Sequence, residues 1–127
     1  GAMMSEERTL LKFETYMFGL KGNKEGLIKI PKEYYELTTE RLRITKQGMI
    51  TETRNDIELF KIKNITVYQK MKDKLMDVGD IEIISADESN PKIILKRIKN
   101  PHDIREKIRD AAKKARAAAG VTYRFDL

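Results

Sequence analysis

The chain has 127 residues, a length that suits one domain around one hydrophobic core. Apolar residues make up 40% and charged residues 36%, with 26 Lys and Arg against 20 Asp and Glu. The lack of Cys excludes a disulfide framework and a thiolate metal site, and the apolar runs fall far short of the ~20 residues needed to span a bilayer.

Gly1-Ala2-Met3 reads as an expression scar ahead of Met4. Residues 4–120 then form one domain, and 121–127 form a C-terminal tail. No secretory leader opens the sequence, so a cytoplasmic location is expected. LLKFETYMF (10–18) is apolar and aromatic with polar interruptions, and predicts a first strand. GLKGNKEGLIKIPK (19–32) holds three glycines and a proline, and predicts a loop with a short extended piece at 27–30. YYELTTERLRITKQGMITETR (34–54) predicts strand, tight turn, strand, turn, strand. Tyr35, Leu37, Leu42 and Ile44 give the period of two of half-buried strands, and Gly48 marks the second turn.

DIELFKIKNI (56–65) predicts a strand ending in a short helical turn. A hairpin follows, alternating through Ile65, Val67 and Gln69, and resuming at Ile81 and Ile83. Its far end, KLMDVG, is more apolar than a turn requires. ADESNP (86–91) collects turn formers, and KIILKRI (92–98) predicts a last strand. The period then changes. Asn100-Pro101 predicts an N-cap with Pro at the first helical position. Ile104, Ile108, Ala111, Ala112 and Ala115 recur at helical spacing, and Gly120 predicts the stop. The Ile104–Ile108 end should bury against the sheets, and the Ala-rich end should project or meet another subunit. Seven short strands and then one helix imply a mainly β, antiparallel fold with the helix at one end.

The order of these signals resembles the bacterial pleckstrin-homology (PH) domain family, most strongly over 34–116. YYELTTERLRITKQG, IELFKIKNITV, YQKMKDKLMDVGDIEI and ILKRIKNPHDIREKI carry the resemblance in their order and spacing. It implies a PH-like antiparallel barrel capped by the C-terminal helix, serving as a non-enzymatic binding or scaffolding domain. It also implies a place for the apolar hairpin end. At a barrel rim, Leu75, Met76 and Val78 would fold inward as a plug, and Gly79 would let the backbone turn without a Cβ clash.

No catalytic constellation is present. His102 is the single His, a poor metal site without Cys. Asp80 and Glu82 share a strand face, but a solvated face accounts for them and a catalytic pair needs burial to separate its pKa values. No cofactor or metal is expected. Three binding readings stand, with the partner unidentified. The first is a protein contact or homo-oligomer: the tail alternates Val121, Tyr123, Phe125 and Leu127, as a strand added to a sheet edge would. The second is an anionic lipid or phosphate, with peripheral contact at the inner face of the membrane. Lys29 followed by Arg41-Leu42-Arg43 is similar to the basic pattern of phosphoinositide-binding PH domains, and the two arginines share a strand face. The third and weakest is nucleic acid. Residues 96–116 carry nine Lys and Arg against three acids, the whole net charge of +6, but no aromatic interleaves them.

Overall fold

A computed structural model describes residues 6–17, 32–48 and 50–120. Seven strands run β1 (Thr9–Glu14), β2 (Glu33–Thr38), β3 (Arg41–Gln47), β4 (Glu52–Glu58), β5 (Ile62–Tyr68), β6 (Val78–Ser85) and β7 (Lys92–Lys99), followed by α1 (Pro101–Ala119). They form two antiparallel sheets, ordered β1-β2-β3-β4 and β5-β6-β7. The expected loop at 19–32 and tail at 121–127 lie outside the described residues, apart from Lys32.

The two sheets pack as a PH-like sandwich and do not close into the expected barrel. A one-turn 3-10 helix, Leu59–Lys61, redirects the chain between β4 and β5, so no ladder joins those strands. At this corner the Ala86 amide donates to the Lys61 carbonyl at 2.8 Å, and the Leu59 amide donates to the Glu40 carbonyl at 3.0 Å. At the opposite corner the chain beyond β1 reaches β7. The Tyr16 amide donates to the Arg97 carbonyl at 2.7 Å, and Arg97 Nε donates to the Tyr16 carbonyl at 2.9 Å.

Alternation explains the core. Tyr35, Leu37, Leu42, Ile44 and Ile57 point inward from the first sheet, and Ile62, Ile65, Ile81, Ile83, Leu95 and Ile98 from the second. α1 closes the open end with Ile104, Ile108, Ala111 and Ala112, packing chiefly on the 3-10 turn and on β5 and β6. The burial reaches further into the alanines than the sequence suggested, and only Ala117–Ala119 stand exposed. Asn100 is the N-cap residue as expected, and its carbonyl accepts the Ile104 amide at 3.1 Å, but it stands in the left-handed region (φ 52°) and makes no side-chain cap bond. Pro101 and Gly120 begin and end the helix as expected.

The apolar hairpin end is also corrected. Of the three expected plug residues Val78 is buried and Met76 half-buried, but Leu75 is 97% exposed, and Met71 earlier in the loop is 79% exposed. A 3-10 turn at Met71–Asp73 and further turns to Asp77 lift these side chains out of the sandwich. Gly79 does answer to close packing. A Cβ there would lie 2.8 Å from the Tyr68 carbonyl oxygen and 3.3 Å from Cγ of Pro101.

Candidate functional site

The outward face of the first sheet carries charged side chains on facing strands. Its register sets them in rows. Lys12, Glu36, Arg43 and Asp56 oppose one another across β1 to β4, and Glu14, Tyr34, Thr45 and Arg54 form the next row. Opposite charges facing across strands stabilise each pair modestly, by ~0.2–1 kcal/mol. The rows border a shallow cleft of about 840 Å3 that spans the sheet from β1 to β4.

Arg41 and Arg43 lie together on this face, as the sequence suggested. Their charge is matched within the chain. Both converge on Glu7, which precedes β1: Arg41 Nε donates to Oε2 at 2.9 Å, and Arg43 Nη2 to Oε1 at 3.4 Å. Glu40 and Asp56 approach Arg41 at 3.4 and 3.8 Å, and Glu36 approaches Arg43 at 3.6 Å. The Thr38 hydroxyl donates to Glu7 at 2.6 Å while accepting from the amides of Glu40 and Arg41. Thr38 is buried because it closes the β2–β3 turn in this way. Nothing local in the sequence marked Glu7, which is 34 positions from Arg41. Lys29, Tyr123, Phe125 and Leu127 lie outside the described residues.

Thr38's hydrogen bond, and then the two guanidinium charges, hold the Glu7 carboxyl below its ordinary value of 4.5, against the opposing cost of burial. A depressed native pKa contributes stability that is complete above the ordinary value and is lost as pH falls through the native one. Glu7→Gln is therefore expected to lower stability at neutral pH by about 1 kcal/mol. It should also flatten the fall in stability below pH 4.5. Urea titrations at a series of pH values measure both, and parallel curves for the two proteins would remove Glu7 from the acid response.

Several charged groups elsewhere have structural partners. Asp80 accepts the Arg97 amide, while Glu82 pairs with Lys92 and Tyr68. On α1, Arg105 donates to the Ile65 carbonyl and Arg116 to that of Phe60; with Arg97 on the Tyr16 carbonyl and Lys99 on that of Met76, four of the nine cations bind backbone. Lys107 and Lys114 pair with Asp103 and Asp110 one turn earlier. His102 is exposed. Among the described residues no three metal-ligating side chains cluster, and no helix is long and apolar enough to cross a membrane.

Sheet edges differ in how they are covered. The edge of β5 lies under α1, with Arg105 bonded to its backbone, and β7 meets Tyr16 at Arg97. β4 pairs with β3 through seven consecutive residues, Glu52–Glu58. Among the described residues, its other edge has no backbone partner over that span. A family model described as bacterial PH domain matches residues 29–112, about two thirds of the chain, from ahead of β2 to well inside α1. The chain belongs to the bacterial PH domain family. Comparison with curated proteins gives no match. The matched span takes in both sheets except β1, and starts at Lys29, five residues ahead of the resemblance read from sequence. PH-like domains are in general binding or scaffolding modules.

Proposed function

We propose that this PH domain is a non-catalytic protein-interaction module that accepts an extended strand along β4. The observation that carries the reading is the edge of β4 that has no backbone partner among the described residues, beside a cleft that β4 itself helps to line through Arg54, Asn55 and Asp56. An added strand gains affinity from the main-chain groups of an edge, and specificity from alternate side chains. The charges at Glu52, Arg54 and Asp56 discourage indiscriminate pairing and favour a strand of complementary charge. The chain carries such a segment. In 121–127 the residues Val121, Tyr123, Phe125 and Leu127 alternate with Thr122, Arg124 and Asp126, so both signs are available to oppose β4. The first occupant is thus the tail of a second copy.

Sedimentation of the whole chain and of a chain ending at Gly120 tests this. The whole chain is expected above the mass of one copy, and the shortened chain at one copy. A peptide of residues 121–127 added to the shortened chain should move the backbone amide resonances of Glu52–Glu58. Equal masses, or peptide shifts confined to another surface, would overturn the reading.

A second reading concerns Arg41 and Arg43, with Lys29 as a third cation. The convergence of both guanidinium groups on one carboxylate favours it, since the same fork suits phosphate oxygens. An anion would have to displace Glu7, so Glu7→Gln should raise inorganic phosphate or anionic vesicle affinity, and Arg41→Glu with Arg43→Glu should abolish it. Unchanged affinity in both variants would remove this reading. Nucleic acid gains less support, because Arg105 and Arg116 are engaged by backbone carbonyls.

A further inference from the structure

We infer that the β5–β6 loop is an insertion tip for the surface of an anionic bilayer, separate from both β4 and the Arg41–Arg43 pair. Three observations carry this. The first is exposure. Leu75 is 97% and Met71 79% exposed, and Tyr68, at the end of β5 next to the loop, is 56% exposed. Single exposed apolar residues are ordinary, but two large ones within one seven-residue turn, beside a tyrosine, form a cluster.

The second is rigidity, which prevents the two side chains from folding back. The amides of Asp73, Lys74 and Asp77 donate to the carbonyls of Lys70, Met71 and Lys74 at 2.9, 3.2 and 3.0 Å. Gln69 Nε2 holds Asp77 Oδ1 at 3.0 Å, and the Asn100 amide holds the Asp77 carbonyl at 2.9 Å. Lys99 Nζ donates to the Met76 carbonyl. Asp77 stands in the left-handed region (φ 54°), an uncommon state for a residue with a Cβ, and these bonds keep it there.

The third is the pattern of charge. Lys70, Lys72 and Lys74 are all exposed and flank Met71 and Leu75, against the two acids of the loop, Asp73 and Asp77. Their long stems can lie along apolar surface while the ammonium groups reach lipid phosphates. Tyr68 matches the amphipathic rings found at headgroup depth. A stable protein interface needs about 800 Å2 from each partner and a concave site to receive it. Two side chains on a convex turn do not supply that area, whereas a bilayer needs only a protruding apolar tip with a basic collar.

The sequence contains no Trp, so Leu75→Trp gives a single reporter at the tip. The full chain carrying this change is mixed with vesicles of phosphatidylcholine alone, and of phosphatidylcholine with phosphatidylglycerol, at low and high salt. With the anionic vesicles at low salt, the Trp emission is expected to shift to the blue and to be quenched by brominated lipid. Salt should reverse the shift, and neutral vesicles should give none. In co-sedimentation, replacing Lys70, Lys72 and Lys74 together by Gln should weaken binding about a hundredfold, at roughly fivefold for each lysine. Met71→Ser with Leu75→Ser should weaken it at least about tenfold. These positions are exposed, so circular dichroism of the variants should be unchanged. The inference is overturned if the Trp stays in water while the protein sediments with vesicles, or if no vesicle binds. It is equally overturned if vesicle binding survives the serine changes but is lost on charge reversal of Arg41 and Arg43. A serine variant with altered oligomeric mass and unaltered vesicle binding would make the tip a protein contact instead.

Discussion

Replacing Ile108 by alanine is expected to lower the free energy of unfolding by about 3 kcal/mol. The side chain is fully buried, midway along the α1 stripe between Ile104 and the Ala111–Ala112 pair. It belongs to the cluster that also holds Leu59 of the 3-10 turn and Ile62, Ile65, Ile81 and Ile83 of the second sheet. Its neighbours cannot close over a truncated side chain. Ala111 and Ala112 are already small, and the sheet residues are fixed by their ladders. The lost contacts and the remaining cavity therefore add. A guanidinium titration should show a lower midpoint with an unchanged slope, as for a stability change in a two-state domain. Amide exchange should quicken in α1 before it quickens in β2 and β3. A cost below about 1 kcal/mol would mean that α1 packs loosely and that the sandwich stands without it.

The strands were legible because burial on one face of a sheet imposes a period of two. Tyr35, Leu37, Leu42 and Ile44 obey it, and all four are buried. The helix was legible for the same reason at a different period. What failed was the use of apolarity as a substitute for burial. Leu75 is as apolar as any core residue, yet it follows the end of β5, where two successive 3-10 type turns carry the chain away from the sandwich. The local pattern holds no information about that direction. Barrel closure failed for a related reason. The helical turn expected in 56–65 is present at Leu59–Lys61, held by Leu59 burying itself under α1, but its consequence, that no ladder joins β4 to β5, does not follow from the local pattern.

The anion pattern shows another limit of sequence reading. Lys29, Arg41 and Arg43 are visible as basic residues at suggestive spacing, and two of them share a face. Their state depends on Glu7, a residue distant in sequence that β1 brings beside β3 by pairing with β2. A charge on a strand is read as free until its cross-strand neighbours are known. On this sheet those neighbours are Glu36 and Asp56, so the register changes an isolated basic pair into part of a near-neutral lattice.

Gly79→Ala is expected to cost about 2 kcal/mol, and the cause is crowding. The added methyl would stand 2.8 Å from the Tyr68 carbonyl oxygen, closer than a real Cβ contact, and 3.3 Å from Cγ of Pro101. The first obstacle is backbone, at the end of β5, so no side-chain rotation relieves it. The second is the residue that starts α1. One methyl would therefore push apart the three segments that hold the β5–β6 loop: the end of β5, the start of β6 and the first turn of the helix. The comparison is Gly120→Ala. That position has φ +69° with nothing within 4 Å, so its cost is the left-handed backbone alone, about 1 kcal/mol. The two variants should differ in more than size. Gly79→Ala should speed amide exchange at Gln69, Asp77 and Ile104, and should weaken anionic-vesicle binding by loosening the frame under Met71 and Leu75. Gly120→Ala should leave both unchanged. Exchange at Gln69 and Asp77 that stays slow in Gly79→Ala would mean that the β5 end yields without disturbing the loop. The rigidity of the tip would then rest on the Lys99, Asn100 and Gln69 hydrogen bonds instead of on the absence of a side chain at Gly79.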